Sequence, residues 1–120
     1  MMVLQATIGR NIGESPMLET EWRDFRGDVQ GVLETFCTGA EMFLEEHLGR
    51  GEWTDEKTGA RVHEESAKIA AVEVSAYDLE SIRDALEVIA ENYEQDMIAV
   101  TVSTPIMVAR RSRVTASARV

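Results

Sequence analysis

Lys68-Ile-Ala-Ala-Val-Glu-Val-Ser-Ala76, then Leu79 to Tyr93, then Met97 to Thr104: the fold of this chain turns on these three consecutive stretches. The first is nearly continuous in small and β-branched apolar residues, which marks a central strand covered at least in part on both faces. In the second, Leu79, Ile82, Leu86, Ile89, Ala90 and Tyr93 recur at three- and four-residue steps and share one helical face. Asp78 or Ser81 is placed to cap that helix. In the third, Ile98, Val100 and Val102 alternate with Ala99, Thr101 and Ser103 until Pro105 ends the pattern, as in a strand with one apolar side.

Working outward, the first half of the chain has a similar grammar. Leu4, Ala6 and Ile8 alternate with Val3, Gln5 and Thr7, a strand, and Gly9 to Pro16 is turn material. From Glu19 the period changes to that of a helix, with Trp22, Phe25, Val29, Val32 and Phe36 on one side. Glu19, Glu21 and Asp24 lie in its first turns, where the helix dipole favours negative charge. Gly27 and Gly31 each cost about 1 kcal/mol against alanine, and their spacing allows either a close backbone approach or mere tolerance. Gly39 reads as the stop. Helical and alternating periods both survive in Ala40 to Leu48, which after the Gly39 break is expected to be a strand. Glu52-Trp53-Thr54 and Ala60-Arg61-Val62 flank a hairpin tip at Asp55 to Gly59.

The order strand, helix, strand, strand, helix, strand predicts an α+β fold of the ferredoxin-like βαββαβ kind, an antiparallel sheet with both helices on one face. Such a sheet leaves its other face bare, and a bare apolar face is normally covered by a second copy. A homo-oligomer that dimerises through the sheet is therefore expected. Residues 1–109 form a single domain, consistent with 120 residues in all. Residues 110–120 form a basic tail, either disordered or an inter-subunit strand in which Val114, Ala116, Ala118 and Val120 alternate.

Charge excludes two classes of partner. Twelve basic and 22 acidic residues leave a net charge of −10, the wrong sign for nucleic acid or an anionic membrane. Arg110, Arg111, Arg113 and Arg119 have no acid among them, so residues 1–109 carry −14 and the tail +4. Cys37 is the one cysteine, which excludes an internal disulfide. The first residues lack a signal-peptide pattern, and no stretch approaches the ~18 apolar residues of a membrane span. A cytoplasmic location is expected.

Candidate chemistry is sparse. His47 and His63 are the two histidines, and neither stands in a metal-ligand spacing. Cys37 is expected to be a buried, inert thiol at a helix end. Gly9-Arg10-Asn11-Ile12-Gly13 lacks the Gly-Lys-Ser/Thr ending of a phosphate loop, yet Arg10, just past a strand, is placed to hold an anion. Glu45/Glu46 and Glu64/Glu65 are adjacent on strands, point to opposite faces and cannot share a proton. Lys68, if buried, needs Glu65 or Glu73 as partner. Trp22 belongs to the core stripe, whereas Trp53, near a hairpin tip, and Tyr93 are large amphipathic groups able to line a pocket. No metal, cofactor or catalytic set is implied.

Gly9-Arg10 after the first strand, Trp22-x-x-Phe25 opening a helix, Gly51-x-Trp53 before a hairpin, Glu65-x-x-Lys68 and Tyr93 closing the second helix occur in that order. The constellation resembles a family of small bacterial proteins of unknown function, many of them exported, over about residues 4–104. The resemblance implies a ferredoxin-like α+β fold. Departures are Ala67 where the family has serine before the lysine, a longer stretch from Gly39 to Trp53, a shorter segment after Tyr93 and no export signal.

These readings converge on a small soluble homo-oligomeric binding protein without catalysis. It would sequester a small ligand, anionic or nucleotide-like, through Arg10, Trp53, Glu65, Lys68 and Tyr93. One alternative is a cofactor-independent enzyme of the dimeric α+β-barrel type with His47 or His63 as proton shuttle. Another is an acidic inhibitor or adaptor that engages a basic protein surface.

Overall fold

The structure, a computed structural model, describes residues 2–37, 44–54 and 56–104, and at 44–48, 50, 51 and 53 the backbone alone. In chain order the elements are β1 (Met2–Gly9), β2 (Asn11–Ile12), β3 (Ser15–Pro16), α1 (Glu19–Phe36), β4 (Leu44–Thr54), β5 (Arg61–Val74), a single 3-10 turn (Ala76–Asp78), α2 (Leu79–Asn92) and β6 (Ala99–Ser103). Four strands pair in the spatial order β4-β5-β1-β6, every pair antiparallel. The chain is an α+β protein. Strands β2 and β3 make a separate small hairpin around Gly13, whose φ of 62° is the left-handed conformation a tight turn requires.

One face of the sheet carries the core. Leu4, Ala6 and Ile8 of β1 and Ala67, Ile69 and Ala71 of β5 are buried, and their alternation puts them on a common side. Trp22, Phe25, Val29 and Leu33 of α1 pack there with Ile82, Leu86 and Ile89 of α2. Each fully buried large aliphatic or aromatic side chain contributes about 1.5–3 kcal/mol. The expected α1 stripe drifts at its C-terminal end: Leu33 is buried, whereas Val32 and Phe36 are only partly so. Steps of three, four and four from Trp22 follow the 3.6-residue turn better than the series through Val32.

Gly27 and Gly31 of α1 make no close approach, since a Cβ at either would meet nothing within 4 Å. They are tolerated rather than required. The same helix begins without a side-chain cap: Leu18 occupies the N-cap position, 70% exposed. Leu18→Ser is expected to stabilise the protein by about 1 kcal/mol, because a hydroxyl there accepts from an orphan N–H of the first turn. Urea denaturation checks it; an unchanged midpoint would mean the first turn frays in the native state.

Three expectations need correction. The uncovered face of the sheet is not broadly apolar: alternation puts Gln5, Thr7, Ser66 and Lys68 on it beside Val3 and Ala70. Helix α1 ends at Phe36, and Cys37 turns extended to bridge Val74. Cys37 is half-buried, not fully buried, with its Sγ donating to the Val72 carbonyl at 2.8 Å. Gly39, Ala40 to Phe43, Asp55 and the tail 110–120 lie outside the described residues.

Between β1 and β5 the register shifts by one. Leu4 faces Ala71, but Met2 faces Val74, so β5 carries one residue more than β1. Glu73 takes a φ of 60° inside this bulge. The extra residue lets Ala71 and Val74, three apart, both face the core.

Candidate functional site

The sequence Gly9-Arg10-Asn11 leaves β1 and sends its two polar side chains to different places. Arg10 stays beside the start of α1. Its Nε donates to the Met17 carbonyl at 2.8 Å, and one terminal nitrogen lies 3.0 Å from Glu65 Oε2 and 3.2 Å from Glu19 Oε2. Backbone bonds reinforce the clamp, from Arg10 N to Glu65 O and from Met17 N to Arg10 O, both 2.9 Å. Two carboxylates already neutralise this guanidinium.

Asn11 is a buried polar residue, 7% exposed. Its Nδ2 donates to the His63 carbonyl at 3.2 Å, its backbone N–H donates to Glu64 Oε2 at 2.7 Å, and its carbonyl accepts from Gln95 Nε2 at 2.9 Å. Three segments distant in sequence thus meet at one residue: the end of β1, the early part of β5 and the loop from α2 to β6. Gly9 makes room for the arrangement, because a Cβ there would land on the Glu64 carboxylate. As the alternation of β5 requires, Glu64 and Glu65 part company, one to Asn11 and the other to Arg10.

The loop is shaped by the end of α2. Gln95 N–H bonds to the Ala90 carbonyl at 2.8 Å and Glu94 N–H to Glu91 at 3.2 Å, a Schellman closure with Glu94 left-handed at a φ of 52°. Between this loop and β1 opens a cleft of about 450 Å³. Glu64 and Ser66 stand on one wall, Glu94, Gln95 and Asp96 on the other, with Thr7 between. No basic side chain is among the described residues that line it. Three carboxylates, on Glu64, Glu94 and Asp96, make such a site attractive to cationic and hydroxyl-rich groups and repulsive to anions.

The residues expected from sequence are dispersed. Arg10 and Glu65 meet each other. Lys68 is exposed on the opposite face of the sheet from Ala67 and Ile69, paired in register with Thr7. Trp53 faces Val62 in the ladder, and its side chain is outside the described set. Tyr93 is spoken for: its ring stacks on Phe25 at 4.8 Å and its hydroxyl donates to Asp28 Oδ2 at 2.6 Å. Arg10, Glu65, Lys68 and Tyr93 are not among the residues that line the cleft. His63 is exposed, its Nδ1 3.3 Å from Glu52 Oε1. His47 pairs with Lys68 through the backbone of β4. Asn11, Glu64, Glu94, Gln95 and Asp96 are absent from the sequence-based set, and the one local hint is Asn11 midway between Gly9 and Gly13.

Burial, then the bond to Asp28 and the nearby charges of Asp28, Asp24 and Glu21, push the Tyr93 phenol from 10.0 up to about 12. A raised acid pKa means the protonated phenol fits the fold better than the phenolate. The stability it contributes is fully present below pH 10.0 and is lost as pH climbs through about 12. In an ultraviolet titration, one of the two tyrosines is expected to ionise only near pH 12. Tyr93→Phe should delete that late component; if the component survives, the Asp28 contact does not hold in solution.

No family model and no curated protein matches the chain. Solved structures do. A phage SAM lyase in complex with S-methyl-5′-thioadenosine superposes with a TM-score of 0.61 at 19% identity, over 85% of this chain and 79% of that one. A Bacillus cereus protein related to NIF3 gives 0.50 at 13% identity, over 85% of this chain but 25% of that one. A DUF3240 family protein from Shewanella baltica reaches 0.45 at 12% identity, over 92% and 97%. At 19% and 13% identity, the likeness to the first two is one of fold alone, a small α+β architecture.

Proposed function

We propose that this chain binds a small ligand in the acidic cleft beside Asn11, and that the ligand is a cationic or neutral nucleoside-like molecule rather than an anion. The observation that carries this reading is the Glu64 carboxylate, held by the Asn11 N–H at 2.7 Å and facing Glu94 and Asp96 across a cleft with no basic lining residue. Its volume is within the ~300–1,000 Å³ of small-molecule sites. An anion at Arg10 would have to displace both Glu65 and Glu19.

The sheet order β4-β5-β1-β6 supports the reading of a ferredoxin-like βαββαβ fold, and we take the protein to be a homo-oligomer that pairs through the open sheet face. Away from the cleft, Val3 and Ala70 are the apolar side chains that this face offers to a second copy. Sedimentation equilibrium at micromolar concentration is expected to give at least a dimer; a 13.4 kDa particle would remove this part of the reading.

The nucleoside bound to the phage lyase supplies a probe. Calorimetric titration with S-adenosylmethionine, S-methyl-5′-thioadenosine and ATP is expected to give micromolar binding of the first two and none of the third. Glu64→Gln should weaken the cationic sulfonium by tenfold or more, about 1.4 kcal/mol, and the neutral thioether less. Glu94→Gly should raise stability by about 1 kcal/mol, since glycine suits the left-handed position, while also weakening the sulfonium. Tighter binding of ATP, or no binding at all, overturns the proposal. Conversion of the ligand on standing would make the protein an enzyme rather than a binder.

A further inference from the structure

Hydrogen-bond donors and acceptors are unevenly divided on the side chains that line the cleft beside Asn11. Gln95 Nε2 donates to the Asn11 carbonyl at 2.9 Å and to the Tyr93 carbonyl at 3.2 Å, so both of its hydrogens are committed. Two carbonyls on the nitrogen fix which way the amide is turned, and Oε1 remains as an acceptor. Asn11, 7% exposed, is oriented likewise by the His63 carbonyl on its Nδ2, and its Oδ1 accepts nothing among the described residues. Glu64, Glu94 and Asp96 add carboxylates, which only accept. Against these stand one remaining Asn11 N–H and the hydroxyls of Thr7 and Ser66, all neutral.

We infer that the group this cleft reads is an ammonium, and that the ligand carries it on an alkyl arm without a carboxylate. The inference rests on the reading that the cleft binds a cationic nucleoside-like molecule, and narrows it. A sulfonium has no N–H and answers the lining by charge alone. An alkylammonium brings three donors together with its charge, which suits carboxylate and amide oxygens alike. A ligand carboxylate meets the opposite conditions: like charge on Glu64, Glu94 and Asp96, and no basic side chain among the described lining residues. In an α-amino acid both groups share one carbon, so the ammonium cannot approach these acids without its carboxylate. Arg10 is committed to Glu65 and Glu19, and Lys68, opposite Thr7 in the ladder, does not line the cleft.

Calorimetric titration of the full-length protein with three probes tests this: S-adenosylmethionine, its decarboxylated form with a bare 3-aminopropyl arm, and that form N-acetylated. The decarboxylated probe is expected to bind at least tenfold tighter than the amino acid, and acetylation to abolish the gain. Glu94 and Asp96 are exposed, so Glu94→Gln with Asp96→Asn should leave the fold intact by circular dichroism. The pair should shrink the preference at least threefold, and high salt should shrink it too. Equal affinity for the first two probes, or a gain that survives acetylation, overturns the inference; a Glu64-dependent affinity for S-adenosylmethionine would still leave the cleft reading standing. A preference untouched by the paired substitutions puts the ammonium elsewhere and overturns it as well. So does tighter binding of S-adenosylmethionine that Lys68→Gln abolishes, which would put the ligand carboxylate on that lysine. Silence of all three probes removes both the inference and the reading beneath it.

Discussion

Phe25→Ala is expected to lower stability by about 3–5 kcal/mol, the range for deleting a large buried aromatic ring. Phe25 is fully buried and links α1 to the end of α2. Its ring meets Trp22 edge-on, centroids 6.1 Å apart at 65°, and stacks on Tyr93 at 4.8 Å and 21°. Truncation therefore removes transfer energy, opens a cavity between the helices and strands the stacked face of Tyr93. A domain of this size holds about 5–15 kcal/mol in total, so the variant would stand near its unfolding limit. Phe25→Leu, which keeps most of the volume, should cost clearly less. Urea unfolding followed by circular dichroism measures both; a loss below about 1.5 kcal/mol for the alanine variant would show that the helix seam collapses to fill the hole.

Gly9→Ala should cost about 1 kcal/mol, the net worth of the one hydrogen bond that it displaces, although the change adds a single methyl group. The new Cβ would occupy the position of the Glu64 carboxylate, which cannot swing aside without abandoning the Asn11 N–H. The double variant Gly9→Ala with Glu64→Ala removes the collision. It is expected to be more stable than the two single losses predict when added, by at least 1 kcal/mol of coupling. Strict additivity in a double-mutant cycle would place the carboxylate elsewhere. Because Glu64 lines the cleft, Gly9→Ala alone should also weaken sulfonium binding, which ties a backbone requirement at the end of β1 to ligand affinity.

Regular elements were legible from pattern because their signals repeat. Trp22, Phe25 and Val29 announce α1, and Leu4, Ala6 and Ile8 announce β1, because burial imposes one period over many residues. The end of the α1 stripe was misjudged because Val32 and Leu33 are adjacent and both apolar, so period alone separates them poorly. Exposure of the sheet's other face was overestimated in its apolarity, since Gln5, Thr7 and Lys68 sit there in register. The cleft was not legible. Asn11, Glu64 and Gln95 lie 53 and 84 residues apart in their bonds, and nothing local marks a meeting that depends on strand pairing and on a left-handed Glu94. Arg10 and Tyr93 stand out in the sequence as candidate ligand-binding groups, yet their polar atoms are spent within the fold, on Glu65, Glu19 and Asp28.

The surplus residue on β5 has a bearing on misfolding. Ala67, Ala70 and Ala71 are the same size, and a ribbon of such interchangeable positions invites slippage against its neighbour. With the count offset between Leu4 and Met2, the two strands are in phase by one measure on one side of Glu73 and by another beyond it. A slide of one step that realigned one side would throw the other out and turn Ile69 toward water. The kink thus acts as an indexing notch: it leaves the pairing a single position in which both ends lock.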